Sequence, residues 1–156
     1  MSNADHSVAE PAMARRLCVK AALRRDSVVW LSSVQLNGRP HLVPVWSMWN
    51  GRKVVAFSKP NARKVANLRD HPGVMLAVGT PGPEFDVELI GATADLPDIP
   101  ASAMMPDAFG EKYRELLRRA GVTLQRFAEI YSQPIVLRPE RFLGYGGPAA
   151  ARRMAS

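Results

Sequence analysis

From Ala14 to Arg25 the apolar positions Leu17, Val19, Ala22 and Leu23 recur at near-helical spacing between basic residues, which predicts a short amphipathic helix. Residues 1–13 before it are polar and irregular, and they read as a flexible arm. The texture then changes. VVWLSSVQLNG (28–38) is rich in β-branched residues and closes on Asn37-Gly38, the strongest short hairpin signal a sequence carries. RPHLVPVWSMW (39–49) ends on a second such turn, Asn50-Gly51, so KVVAFS (53–58) is expected as the third strand of a meander.

In the middle strand of that meander both alternating sets are apolar or aromatic. His41, Val43, Val45 and Trp49 fall on one side, and Leu42, Pro44, Trp46 and Met48 on the other, which predicts a strand covered on both faces. Pro44 has no N–H to give to a ladder and marks a bulge or an edge. Next, Val65 and Leu68, followed by His71-Pro72-Gly73, predict a helix of about three turns with Asn61 as its N-cap.

GVMLAVGT (73–80) reads as a buried strand, PGPE as a turn, and FDVELIGATADL (85–96) as a long strand. DAFGEKYRELLRRAG and TLQRFAEIYS predict two helices, the second capped by Thr123, and QPIVLRPERFLGYG (133–146) returns to strand. Six strands with helices inserted between them predict an α+β chain, a small, mostly antiparallel six-stranded barrel with peripheral helices. One domain, 14–146, is expected, followed by a flexible tail, 147–156.

Charge narrows the partners. The chain carries 21 Lys and Arg against 14 Asp and Glu, a net +7, which favours anionic ligands. The excess sits in scattered pairs (Arg15-Arg16, Arg24-Arg25, Arg118-Arg119, Arg152-Arg153) rather than one stripe, so solvated helix faces are the reading and no nucleic-acid partner is expected. Cys18 is the one cysteine, which excludes an intrachain disulfide and fits a reducing, cytoplasmic compartment. No cysteine or histidine spacing suits a metal, and no leader or membrane-length apolar run is found, so no metal and no membrane association are expected.

The chemistry concentrates in SKPNARKVANLRDHP (58–72). Ser58, Asn61, Arg63 and Lys64 gather where a strand turns into a helix, at the positive end of the helix dipole. Cations in a first turn oppose that dipole by a few tenths of a kcal/mol unless an anion binds there. A phosphate cradle and a merely solvated basic helix start are both open readings of this corner.

The order LSSVQLNGRPHLVPVW, KVVAFS, ARKVANLRDHPGVMLAV, FDVELIGATADL, with the K-x-x-N-L piece Lys64–Leu68, resembles the pyridoxamine 5'-phosphate oxidase-like family of split β-barrel flavin-binding proteins, including its deazaflavin branch. The resemblance covers about residues 12–146. It implies a homodimer with cofactor sites at the subunit interface. The cofactor phosphate would meet Ser58, Arg63 and Lys64, and the tricyclic ring would lie on the backbone of Val43, Pro44, Val45 and Trp46 and on Ala56 and Phe57. It further implies FMN, or alternatively the 8-hydroxy-5-deazaflavin coenzyme, as cofactor for an oxidoreductase of a small organic substrate; a non-catalytic flavin carrier or sensor is the alternative.

One departure stands out. The chain ends GYGGPAAARRMAS, without a counterpart of the basic C-terminal segment with which pyridoxamine-oxidising members grip their substrate, so vitamin processing is not expected. Because the cofactor supplies the redox chemistry, no catalytic triad is required, and none is found. His41, His71, Tyr113 and Tyr131 are read as structural, and tryptophans 46 and 49 as packing residues.

Overall fold

The computed structural model describes residues 6–80 and 86–146. The PGPE turn expected at 81–84 and the tail at 147–156 lie outside them. The chain runs α1 (His6–Arg25), β1 (Val29–Val34), β2 (Pro40–Val45), β3 (Ser47–Trp49), β4 (Val54–Ser58), α2 (Arg63–Asp70), β5 (Gly73–Thr80), β6 (Asp86–Asp95), α3 (Ala101–Met104), α4 (Asp107–Ala120), α5 (Leu124–Ile130) and β7 (Gln133–Gly146).

Both Asn-Gly dipeptides lie in tight hairpin turns, though neither is the central pair of a two-residue loop: Gly38 N–H closes on Gln35 O in a three-residue loop, and Gly51 and Arg52 lie between Asn50 and Lys53 in the second. Gly38 and Gly51 take φ of 80° and 99°, and Asn50 Oδ1 accepts from the Arg52 and Lys53 N–H groups at 3.0 and 2.8 Å. Thr123 caps α5 by accepting from Arg126 N–H, and α4 ends at Gly121 in the left-handed region. Helix α1 begins at His6 rather than at Ala14. Residues 9–14 hold three alanines and a methionine, strong helix formers, alongside Pro11, which has no N–H to give to the helix, so propensity alone does not set this boundary.

All strand pairs among the described residues are antiparallel, in the order β2-β1-β5-β6-β7-β4-β3, which makes seven strands there where six were expected. The difference lies in the stretch 39–49. It is not the centre of a meander: β2 pairs with β1, β3 pairs with β4, and Trp46 belongs to neither ladder. Consecutive strands therefore stand at opposite edges of one sheet. Val45 and Ser47 are two residues apart, so their Cα atoms lie within about 7 Å, and the sheet must curl until its edges meet there. The result is a split barrel closed by a single residue.

Two apolar layers follow from the alternation. Val54 and Ala56 of β4 point into the barrel, with Leu31, Val45, Trp49, Leu76, Ile90 and Ile135 and the α1 residues Val19 and Leu23. Val55 and Phe57 point outward onto Phe109, Tyr113, Leu117 and Phe127 of α4 and α5. Cover on both faces of 39–49 is thus half realised. Trp46 and Met48 are roofed by the helical layer, whereas Leu42 is 59% exposed and Pro40 and Pro44 are also exposed. Pro44 is resolved as an edge residue rather than a bulge, because β2 has a neighbour on one side only. Among the described residues no helix is long and apolar enough to cross a membrane.

Candidate functional site

The turn after β4 sets the geometry of the basic corner. Ala62 N–H closes it on Lys59 O at 3.1 Å, which makes Ala62 the N-cap of α2 and carries Asn61 past that position. Ala62 has no side chain to cap with, so the first-turn N–H groups of α2 receive none. The helix runs eight residues, nearer two turns than three, and His71 ends it by giving its backbone N–H to Asn67 O. Asn67, the asparagine of K-x-x-N-L, is buried and donates from Nδ2 to Ser33 Oγ at 3.0 Å, tying α2 to β1.

Arg63 and Lys64 diverge, because successive helical residues are about 100° apart. Arg63 Nη1 donates to Gln35 Oε1 at 3.1 Å and borders an open groove shared with Asn37, Asn61 and Asp70. Lys64 turns the other way, into a more enclosed cavity of about 460 Å³. Pro44, Val45 and Trp46 from the strand break line it, with Phe57 from β4, Lys59 from the turn and Lys64 from α2. The opposite wall comes from α4, α5 and the residues that end them: Leu117, Ala120, Val122, Phe127, Ile130 and Tyr131.

The cavity thus gathers Pro44, Val45, Trp46, Phe57 and Lys64 of the expected site residues. Side chains of Val43 and Ala56 belong to the barrel interior instead. Ser58 is buried and its Oγ donates to Lys59 O at 3.1 Å, so its hydroxyl is engaged by backbone, and Arg63 faces the neighbouring groove. His41 does not line the cavity; its Nδ1 is buried without a hydrogen-bond partner among the described residues.

Sequence reasoning missed Lys59 and Tyr131. Lys59 had a local signal, since it follows Ser58 in the same turn, but Tyr131 reaches the site only through long-range packing.

Rings organise the wall. The Trp46 indole lies parallel to Tyr113 (centroids 4.6 Å apart, 4° between planes) and to Phe127 (5.2 Å, 11°), and Phe127 stacks on Tyr131 at 4.5 Å. Trp46 is therefore a packing residue, as expected, presenting to the cavity what its neighbours leave free.

Polar bonds fix the same break from outside. Tyr113 Oη accepts from Ser47 N–H at 2.7 Å and lies 2.8 and 2.9 Å from Ser27 O and Ser47 O, while Lys112 Nζ donates to Ser47 O and Leu23 O at 2.8 and 2.9 Å. Burial draws the Lys112 amine down to about 8, opposed by the charge of Asp26, and pushes the Tyr113 phenol up to about 12.

Electrostatically the cavity is one-sided. Lys59 and Lys64 line it and, among the described residues, no carboxylate does. Lys64 takes part in none of the ion pairs among the described residues, and burial lowers its pKa. No cluster of metal-ligating side chains is found among the described residues. An amine-bearing end and an apolar, aromatic body suit an organic anion with a large flat apolar part.

Comparison with known proteins agrees with this picture. The sequence profile of the family described as pyridoxamine 5'-phosphate oxidase matches residues 18–143. No curated protein matches the chain. Among solved structures, the conserved hypothetical protein Rv2991 from Mycobacterium tuberculosis superposes with a TM-score of 0.68 at 13% identity, covering 86% of each chain. An F420 reductase superposes with a TM-score of 0.58 at 22% identity, over 80% of this chain and 94% of that one. An FAD-binding protein from Mesorhizobium loti gives 0.63 at 17% identity, over 83% and 90%. At such identities these likenesses establish the fold, and with the profile match across most of its length the chain belongs to the pyridoxamine 5'-phosphate oxidase family of split barrels.

Proposed function

We propose that the cavity between the strand break and α5 holds a flavin-type cofactor, FMN or the 8-hydroxy-5-deazaflavin coenzyme, and that the protein is an oxidoreductase of a small organic substrate. The observation that carries the reading is the joining of two lysines, with no carboxylate among the described residues, to an apolar, aromatic pocket at the uncapped start of α2. The residues fit the group. Lys64, with the first-turn N–H groups of α2, suits a phosphate, and Pro44, Val45 and Phe57 offer an apolar bed for a ring. The volume of about 460 Å³ lies within the range of small-molecule sites, roughly 300–1,000 Å³.

A bound flavin or deazaflavin supplies the hydride chemistry itself. The chain's own residues bind, orient and exclude water. Lys64 holds the anionic end, the Trp46–Phe127–Tyr131 stack keeps the far wall rigid, and Lys112 with Tyr113 fixes Ser47 and so the backbone beside Trp46. Two structural neighbours support the reading, one called an F420 reductase and the other FAD-binding.

The working unit in this reading is a homodimer. Trp30, Leu42 and Met75 are 47%, 59% and 38% exposed, and the register joins them into one outward patch: Trp30 stands beside Pro44, and Ser32 lies between Leu42 and Met75. Pro44 belongs both to the exposed strand face and to the cavity lining, so a second copy on this patch would complete the cofactor site.

The test is a fluorescence titration of the purified protein with FMN and, separately, the deazaflavin coenzyme. Micromolar binding of one identifies the cofactor, and reduction of the bound ring by an electron donor with re-oxidation by an organic acceptor establishes turnover. Binding without turnover makes the protein a carrier, and binding of neither overturns the reading.

A further inference from the structure

We infer that Lys59, positioned by the Tyr131 ring, is a second ligand amine, and that the cavity selects its ligand by the negative charge carried at that end. The inference rests on the cavity being the ligand site, as proposed above. Lys59 lies outside α2, in the turn that leads into it, and reaches the cavity from a different element than Lys64. Its Nζ stands 5.9 Å over the Tyr131 ring, within reach of a cation–π contact. Tyr131 is itself stacked on Phe127, and Phe127 on Trp46, so a ladder of rings fixes one side of the amine.

Two ammonium groups lining one cavity repel each other, and burial adds a desolvation cost at Lys64. Neither cost is offset inside the cavity, because among the described residues no Asp or Glu lines it and neither lysine belongs to an ion pair. A multiply charged anion offsets both, whereas a neutral ring offsets neither. The ligand class is therefore a flat ring compound bearing a phosphate dianion or a longer anionic tail. Arg63, directed at Gln35, is not required for it.

The experiment compares a charged ligand with its neutral counterpart: FMN against riboflavin, and the deazaflavin coenzyme against its phosphate-free ring analogue. Titrations use wild type and the variants Lys59→Met, Lys64→Met, Tyr131→Phe and Tyr131→Leu, each first checked for an unchanged unfolding midpoint. Lys59→Met is expected to weaken the charged ligand at least about tenfold and the neutral one less than about twofold. Tyr131→Leu should lower the charged-to-neutral affinity ratio about two- to fivefold, and Tyr131→Phe, which keeps the ring, should leave it unchanged.

Equal weakening of both ligands by Lys59→Met, or no weakening of either, overturns the inference. So does a Tyr131→Phe variant that behaves like Tyr131→Leu. Should wild type bind no flavin or deazaflavin, the cofactor reading fails on its own, and inorganic pyrophosphate titrated calorimetrically then decides the lysine pair. Binding lost in both lysine variants supports it, and no binding to wild type refutes it.

Discussion

Tyr113→Phe removes one oxygen from a ring that is fully buried. That oxygen accepts from Ser47 N–H and has a single proton to give, to Ser27 O or to Ser47 O. Lys112 also donates to Ser47 O, so that carbonyl keeps a partner in the variant. What is orphaned is the buried Ser47 N–H, at about 1–3 kcal/mol, together with a weaker loss at the half-buried Ser27 O. The sum is about 2–4 kcal/mol. At about 2–4 °C per kcal/mol for a chain of this size, the melting midpoint should fall by roughly 4–16 °C.

The pH dependence supplies an independent check. Burial raises the phenol from its ordinary 10.0 to about 12 in the folded state, so its contribution is fully present below pH 10 and is lost as pH climbs toward 12. The stability gap between wild type and Tyr113→Phe should therefore narrow over that window, read by denaturant titration at each pH. A variant within about 0.5 kcal/mol of wild type at neutral pH would refute the claim that this hydroxyl pins the strand break.

Four further outcomes follow from the geometry. Lys64→Ala should weaken cofactor binding by about 1.5–3 kcal/mol, and Arg63→Ala by less than about 0.5 kcal/mol, measured by fluorescence titration; the reverse order would place the anion in the neighbouring groove. Asn67→Ala leaves Ser33 Oγ without its donor in a buried setting and should cost about 1–3 kcal/mol in chemical unfolding. Gly79 has φ of 143°, and a Cβ there would collide with the Asp86 carbonyl oxygen, so Gly79→Ala should lose about 3 kcal/mol or more, seen as a lowered melting midpoint. Leu42→Glu places a charge in the outward apolar patch and should leave a monomer in light scattering where the proposed homodimer predicts a dimeric wild type; a monomeric wild type would dismiss that patch as the interface.

What the sequence made legible is local. Asn-Gly turns, the Thr123 cap and the Gly121 helix end are set by the conformations of a few neighbouring residues, and each forms within the stretch that signals it. The basic corner was legible for the same reason, as a strand end, a turn and a helix start within seven residues of chain, Ser58–Lys64. Its divergence was legible in part, since Arg63 and Lys64 are adjacent on a helix and leave it about 100° apart. The outer wall was not. Phe127 and Tyr131 reach Trp46 and Lys59 only because α4 and α5 pack over β4, and nothing local to 124–131 announces it. The break at Trp46 was hidden likewise. β7 pairs with β6 over much of its length and with β4 near its start, and so places β4 and β3 on the edge opposite β2.

That single break accounts for both surfaces proposed as functional. Because β2 and β3 pair with different partners, the residue between them lies outside both ladders, and its ring is free to anchor the helical layer rather than the barrel. The cavity lies beside that anchor, between the strand break and α5. The same partition makes β2 an edge strand whose outward residues, Pro40, Leu42 and Pro44, are exposed. An edge bearing two prolines has fewer N–H groups with which to recruit a foreign strand, so a partner must dock face-on through side chains. Cavity and apolar patch then share Pro44. A ligand in one and a second copy on the other should bind cooperatively, each tightening the other by the same factor.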